Sequence, residues 1–138
     1  MKKMMGILIV FILTFTLSAC NFSAHGELYD DEDKMMASGD TYSFLGMVEL
    51  NDSIEFNRFS GIYTLKSFNV NGTLTIDLDM NITSGRFKVI LVSDDDGIQE
   101  LVEGINQVTL IDDRARLRIV GDDAKGSLNF SIETPSSL

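Results

Sequence analysis

Apolar and polar residues alternate along most of the chain after residue 40, and a period of two indicates β-strands. The clearest run has apolar residues at every second position, Leu74, Ile76, Leu78, Met80 and Ile82. The alternation returns in 87–91, 108–110, 115–119 and 128–132, and more weakly in 42–50, 54–59, 62–70 and 98–102. No segment carries the 3.6-residue period of an amphipathic helix. The pattern predicts eight or nine short strands.

Glycine and Asx residues separate these segments at positions typical of tight turns. They are Asn71-Gly72, Ser84-Gly85, Asp96-Gly97, Glu103-Gly104, Gly121-Asp122-Asp123 and Lys125-Gly126. Hairpins at these turns would pair Met80 with Phe87, and Ile119 with Leu128, and would keep the apolar residues on one face. Short antiparallel strands at this spacing predict an all-β fold, an antiparallel two-sheet β-sandwich or jelly roll of about eight strands.

The first twenty residues have the three zones of a secretory signal. These zones are Lys2 and Lys3, the uncharged run Gly6 to Leu17, and small residues at Ser18 and Ala19 before Cys20. The apolar run has 12 residues, roughly 18 Å as a helix, and is too short to span a hydrocarbon core of ~30 Å. Cys20 is the only cysteine. An exported lone thiol has no disulfide partner within its chain, so a modified cysteine explains it better.

The sequence Leu17-Ser18-Ala19-Cys20 resembles the lipobox of bacterial lipoproteins. In that family a transferase links diacylglycerol to the cysteine sulfur, and a peptidase cleaves the chain just before the cysteine. The resemblance implies signal cleavage between Ala19 and Cys20, lipidation of Cys20, and attachment to the extracytoplasmic face of the cell membrane. The lipid bilayer is then a partner, because two or more acyl chains approach permanent anchoring. An ordinary secretory signal with an incidental cysteine is the alternative.

Cleavage after residue 19 would leave 119 of the 138 residues, enough for one domain. Residues 20–40 hold the lipidated cysteine and an acidic run with few large apolar residues, which is typical of a solvated, self-repelling tether. Residues 41–138 form the predicted β-sandwich domain. The mature side chains include 9 basic and 21 acidic groups, a net charge of −12. This charge argues against nucleic acid as a partner.

The folded domain has no sequence signature of an active site. The only histidine, His25, lies in the predicted tether, so a Ser–His triad, a thiol protease or a histidine-based zinc site is not expected. The carboxylates lie in predicted turns or beside basic residues, whereas a glycosidase needs two of them flanking a cleft. We therefore predict that the protein is not an enzyme.

Three arginines alternate on one predicted strand and therefore project from one face. They are Arg114, Arg116 and Arg118. The predicted last hairpin places Glu133 opposite Arg114, which leaves Arg116 and Arg118 as candidate residues for binding a carboxylate or phosphate group. Ion pairing with neighbouring strands is the alternative.

Acidic turns offer a candidate calcium site, with Asp94 and Asp96 as ligands and with support from 112–113 and 122–123. Calcium binds 6 to 8 oxygens, but the spacing departs from the EF-hand pattern, and a plain turn role is the alternative. No other cofactor is expected. Six aromatic residues offer a candidate ligand platform or, alternatively, part of the core. They are Tyr42, Phe44, Phe56, Phe59, Tyr63 and Phe68.

Residues 82–97, 108–110 and 117–126, with the signal, resemble uncharacterised small lipoproteins of Gram-positive bacteria. The apolar strand that ends in Asp94-Asp95-Asp96-Gly97 is also similar to pre-peptidase C-terminal β-sandwich domains, although Asp112-Asp113 replaces their glycine turn. These resemblances imply a membrane-anchored, non-enzymatic binding or envelope-accessory module, with an envelope protein or glycan as partner. A loop-based calcium- or carbohydrate-binding module is the alternative, followed by a small hydrolase.

Overall fold

The computed structural model describes residues 26–135, and within them four strands form one antiparallel sheet. The strands are β1 Thr41–Glu49, β2 Ser53–Ser93, β3 Gly97–Glu100 and β4 Gly104–Glu133. A 3₁₀ helix at Gly26–Asp30 and the short helix α1 at Glu32–Met36 precede them. The all-β prediction is confirmed. The predicted strand number differs from the structure, because β2 alone has 41 residues and β4 has 30.

Strands β2 and β4 pair with each other along both of their edges. Residues 53–78 of β2 pair with 104–129 of β4, and residues 75–93 pair with 115–133. Ile76 therefore lies between two partners, Asn106 and Ile132. Two flat strands can share only one edge, so both strands must coil. The shorter strands extend the sheet, since β1 pairs beside the start of β2 and β3 beside its end.

The hairpins predicted around Ser84 and in 121–126 are wrong. Met80 pairs with Leu128 rather than Phe87, and Ile119 pairs with Tyr63 and Val89. The chain does not reverse at these positions. The turn-forming residues instead interrupt the register inside continuous strands.

Several of these interruptions have the character of β-bulges. The pairing of β2 with β4 shifts on both sides of Ser84, and the adjacent Gly85 has a φ of +78°. Asp112 and Asp123 are the two non-glycine residues with positive φ in 26–135, and both lie in β4. A bulge bends its strand and increases the local twist. The glycine and Asx residues therefore produce the coiling that lets β2 and β4 meet twice.

The alternating apolar residues fill one core, as the period of two predicts. Leu74 and Ile76 are 0% exposed and Leu78 is 1% exposed. Five of the six candidate aromatic residues pack there as well, and the rings of Phe44 and Phe59 stack with centroids 4.6 Å apart. The structure thus favours core packing over a ligand platform for these five rings, whereas Tyr42 is 44% exposed.

A second, smaller apolar cluster covers the opposite face of the sheet. Its buried members are Met35, Ile62, Ile90, Val92 and Val120, and Leu28, Tyr29 and Ile98 pack against it. The cluster brings residues 26–40, which we call the N-terminal segment, onto the sheet. Over residues 26–40 this differs from the solvated tether that the acidic composition predicts for 20–40; residues 20–25 lie outside the described residues. The physical reason is that the few apolar side chains of the segment fall where the sheet has apolar residues on both faces.

Candidate functional site

Arg118 of β4 fastens the N-terminal segment to the sheet. Its side chain is 0% exposed. Nη1 donates to the carbonyl oxygens of Met35 and Ala37, each at 2.6 Å. Nη2 donates to the carbonyl oxygen of Gly39 at 2.7 Å and to Asp40 Oδ1 at 3.0 Å. The last carbonyl groups of a helix have no hydrogen-bond donor within the helix. The Arg118 guanidinium supplies donors to the carbonyl oxygens where α1 ends.

The surroundings of Arg118 have two opposite effects on the pKa of its guanidinium. Burial, the largest effect, lowers the pKa of the guanidinium, while the hydrogen bond and the charge of Asp40 raise it. Arginine remains charged in proteins, so a buried cation sits beside one carboxylate and three carbonyl dipoles. Among the described residues its Nε is the one buried side-chain nitrogen or oxygen without a partner.

Arg116 holds the same stretch of backbone from the neighbouring position on the same face. Its Nη1 donates to the carbonyl oxygen of Ala37 at 2.9 Å, and its Nη2 donates to that of Met36 at 2.8 Å. The structure thus brings Arg116 and Arg118 together, as their alternation on one strand predicts. The oxygens that they bind belong to the chain itself and not to an external anion. The predicted pairing of Arg114 with Glu133 is wrong, since Arg114 pairs with Asn69.

A second attachment point surrounds the ring of Tyr29. The Arg86 guanidinium carbon lies 4.3 Å and the Lys88 ammonium nitrogen 4.2 Å from the ring centroid. Lys88 Nζ also donates to the carbonyl oxygen of Tyr29 at 2.9 Å, and Arg86 pairs with Asp122 at 2.8 Å. Burial is the main cause that raises the pKa of Tyr29. The cation–π contact of the partly buried Lys88 contributes about 0.5–1 kcal/mol.

A polar cleft opens where β2 and β4 approach the turn after β2. It has a volume of about 830 Å³ and adjoins a pocket of about 480 Å³. Both are lined by Asn69, Asp94 and Arg114. The other residues lining the larger volume are Val70, Asn71, Asp95, Asp112, Asp113, Thr134 and Pro135. The volume lies in the range of small-molecule sites, and the lining offers mainly carboxylate and amide groups.

The buried carboxylate of Asp113 shapes one wall of the polar cleft. Asp113 is 6% exposed, and its two oxygens accept hydrogen bonds from the backbone N–H groups of Asp94 and Asp95, both at 3.2 Å. The N–H of Asp96 donates to Ser93 Oγ at 3.0 Å. The chain's own side chains therefore close the turn at 94–96. The sequence does not distinguish Asp113 from the other acidic residues of the turns, because the pairing that brings it to 94–96 is not local.

The candidate calcium ligands Asp94 and Asp96 both lie in this turn, and both are exposed. Within residues 26–135 no group of three or more His, Cys, Asp or Glu side chains is arranged to hold a metal ion. Asp94 and Asp96 therefore belong to no such group among the described residues.

The signal cleavage position Ala19–Cys20 and the lipidation residue Cys20 lie outside the described residues. In the described part of the chain, no helix has the length and apolar character needed to cross a membrane. The chain matches no family model, no curated protein and no solved structure.

Proposed function

We propose that this chain is a lipoprotein, anchored through acylated Cys20 to the extracytoplasmic face of the cell membrane, and that its β domain is a non-enzymatic module that binds an envelope component. The arrangement of the first twenty residues supports the anchor. A basic start, a short apolar run and Leu17-Ser18-Ala19-Cys20 occur in the order that export and lipidation require. The lone cysteine fits the same proposal.

The polar cleft is the feature that best supports the proposed binding role. Its lining includes four carboxylates against one guanidinium, that of Arg114. Carboxylates accept hydrogen bonds and donate none when ionised, while Asn69 and Asn71 both donate and accept. A ligand rich in hydroxyl or amino groups complements this lining. We propose an envelope glycan as the ligand, which joins the binding-module and carbohydrate-binding hypotheses at one site.

We further propose that β2 and β4 bend between two layers, so that the domain is a β-sandwich whose strand-length segments are separated by bulges. Strands that cross from one sheet to the other do so at bulges or bends. The larger apolar core, which includes residues from both ends of β2 and of β4, supports this arrangement.

Cell fractionation tests the anchor. The full-length chain should be found in the membrane fraction and should be digested by protease added to intact cells. Cys20→Ser removes the sulfur that carries the lipid and should release the protein from the membrane. Equal membrane retention of the Cys20→Ser protein would contradict the anchor.

Retention on immobilised cell-wall polysaccharide tests the cleft. Arg114→Gln, within the cleft, should weaken retention of the protein extracted from membranes. Lys125→Gln removes the same charge from an exposed position outside the cleft and should leave retention unchanged. Retention that falls equally in both variants would indicate nonspecific charge, and no retention of the parent protein would reject the glycan.

A further inference from the structure

The exposed apolar residues of the described chain are concentrated on β1 and the residue that follows it. Five of the nine exposed large hydrophobic residues fall there, Tyr42, Leu45, Met47, Val48 and Leu50. We call these five residues the β1 patch. Residues 41–48 include no charged side chain. Among residues 26–135, β1 pairs only with β2, so within this range it is an edge strand.

No residue of the described part of the chain pairs with the outer edge of β1, and such an edge is unusual. Edge strands are normally protected by charge, proline or a covering element, since a long apolar edge invites aggregation. Leu45 is 60% exposed, Val48 57% and Leu50 63%. In the paired strand, Leu45 lies opposite Arg58 and Val48 opposite Glu55. These polar partners indicate that Leu45 and Val48 face away from the core. Met47 lies opposite the buried Phe56, so the β1 patch includes residues on both sides of the β1 edge.

The attachment of the N-terminal segment determines which side of the domain lies nearest to the proposed anchor. Six residue steps join Cys20 to Gly26, and even fully extended they span at most about 22 Å. A domain of this size has a radius of gyration of about 13 Å, so its diameter exceeds the reach of this connection. The side that carries Gly26 must therefore face the membrane.

The β1 patch lies on that side. Gly26 is so close to Asp122 that a Cβ on the glycine would contact its carboxylate. The next residue, Asp123, pairs with Arg58 at 2.7 Å, and Arg58 lies opposite Leu45 of β1. Neighbouring strands are about 4.8 Å apart, so β1 is only two strand spacings, or about 10 Å, from the strand on which Gly26 rests.

We propose that the β1 patch lies against the lipid bilayer, at the boundary between the headgroups and the acyl chains, and orients the domain on the membrane. This inference rests on the proposed lipid anchor at Cys20. Apolar side chains at such a boundary insert to about 5–10 Å. At that depth water and headgroups bond the free backbone groups of the β1 edge, which the hydrocarbon interior would leave unsatisfied. The polar cleft shares no lining residue with the β1 patch and remains available to its ligand.

Tryptophan fluorescence tests this contact, because the chain has no tryptophan. Val48→Trp gives a single reporter in the patch, and Leu45→Trp provides a second if the first variant misfolds. Ile111→Trp is the control, since Ile111 is 74% exposed and lies outside the patch. Each full-length variant is expressed, extracted from membranes and reconstituted into phosphatidylcholine vesicles with or without brominated acyl chains.

The proposal predicts that brominated lipid quenches the tryptophan at position 48 or 45 and leaves that at position 111 unquenched. Flotation of the vesicles separates the two claims. If the protein floats with the vesicles and the patch tryptophan is not quenched, the anchor stands and the membrane contact is rejected. An unquenched, blue-shifted emission together with a dimer mass would show that a second copy covers β1, which also rejects the contact. A protein that does not float refutes the anchor, and the contact with it.

Discussion

Replacing Arg118 with alanine should detach the N-terminal segment and destabilise the domain. Arg118 makes four charge-assisted hydrogen bonds, three to carbonyl oxygens and one to Asp40. A hydrogen bond to a charged group contributes a net of about 1.5–3 kcal/mol to stability. The released oxygens regain water when the segment lifts, so the total loss is smaller than the sum. Breaking a buried charge pair from one side typically costs about 3–5 kcal/mol, and we expect a loss in that range.

Urea denaturation followed by circular dichroism measures this loss, and native-state hydrogen exchange locates it. Arg118→Ala should lower the free energy of unfolding. It should also raise the rate of amide hydrogen exchange in 26–40 more than the rate in the core strands. Arg118→Lys keeps the charge but not the planar fork, so it should recover only part of the stability. Arg116→Ala is the matched control, with an expected cost of about 1 kcal/mol, because this partly exposed side chain makes two hydrogen bonds. Equal losses in the two alanine variants, or unchanged exchange in 26–40, would refute the reasoning.

The bulges, the Tyr63 hydroxyl and the turn beside the cleft give three further predictions. Gly85→Ala should lower the free energy of unfolding, measured by thermal unfolding, by about 3 kcal/mol or more. The added Cβ would lie 2.2 Å from a backbone oxygen of the neighbouring strand. Gly97→Ala meets nothing within 4 Å and should cost only about 1–2 kcal/mol for its positive φ; equal costs would contradict the bulge assignment. The hydrogen bond from Tyr63 to Glu49 raises the pKa of Tyr63 to about 12 from 10.0. A raised pKa favours the protonated native state, so the stability that Tyr63 contributes is present below pH 10 and is lost as the pH rises through about 12. Ultraviolet titration should show this pKa falling toward 10.0 in Glu49→Gln, and an unchanged titration would reject the assignment. Asp113→Ala leaves two N–H groups of the turn without their acceptor and should cost about 1–3 kcal/mol. It should also speed hydrogen exchange at 94–95, whereas unaltered exchange there would show that the carboxylate does not hold the turn.

The sequence predicts the faces of the strands but not their partners. The period of two correctly assigns Leu74, Ile76 and Leu78 to the core. Pairing Met80 with Phe87 keeps the apolar residues on one face, but so does the observed pairing of Met80 with Leu128. A local pattern cannot distinguish these registers, because both satisfy the same alternation.

The difference between a turn and a bulge has the same origin. Both need a residue that tolerates positive φ, and Gly85 or Asp123 satisfies either requirement. Whether the chain reverses or only bends depends on the strand that pairs beside it. That strand is distant in sequence. The local glycine and Asx residues therefore predict hairpins at positions where the structure has continuous strands.

The sequence contains one indication that the N-terminal segment packs on the sheet, and this indication is an apolar run without alternation. Residues 89–92 form an unbroken apolar run, which is typical of a strand covered on both faces. All four are buried, with Ile90 and Val92 under the segment. The acidic composition of 26–40 favours a solvated segment. It therefore gives no indication that Met35 packs on Ile90 and Val92 or that Asp31 is a helix N-cap. Arg116 and Arg118 were found from their spacing, but their partners in the same chain were not.

Intact mass and N-terminal fragmentation of the protein extracted from membranes test the central claim, a lipid-anchored β module, most directly. The account predicts a chain that begins at Cys20 and carries diacylglycerol in thioether linkage on its sulfur. A chain that begins elsewhere, or a free thiol at Cys20, would contradict it.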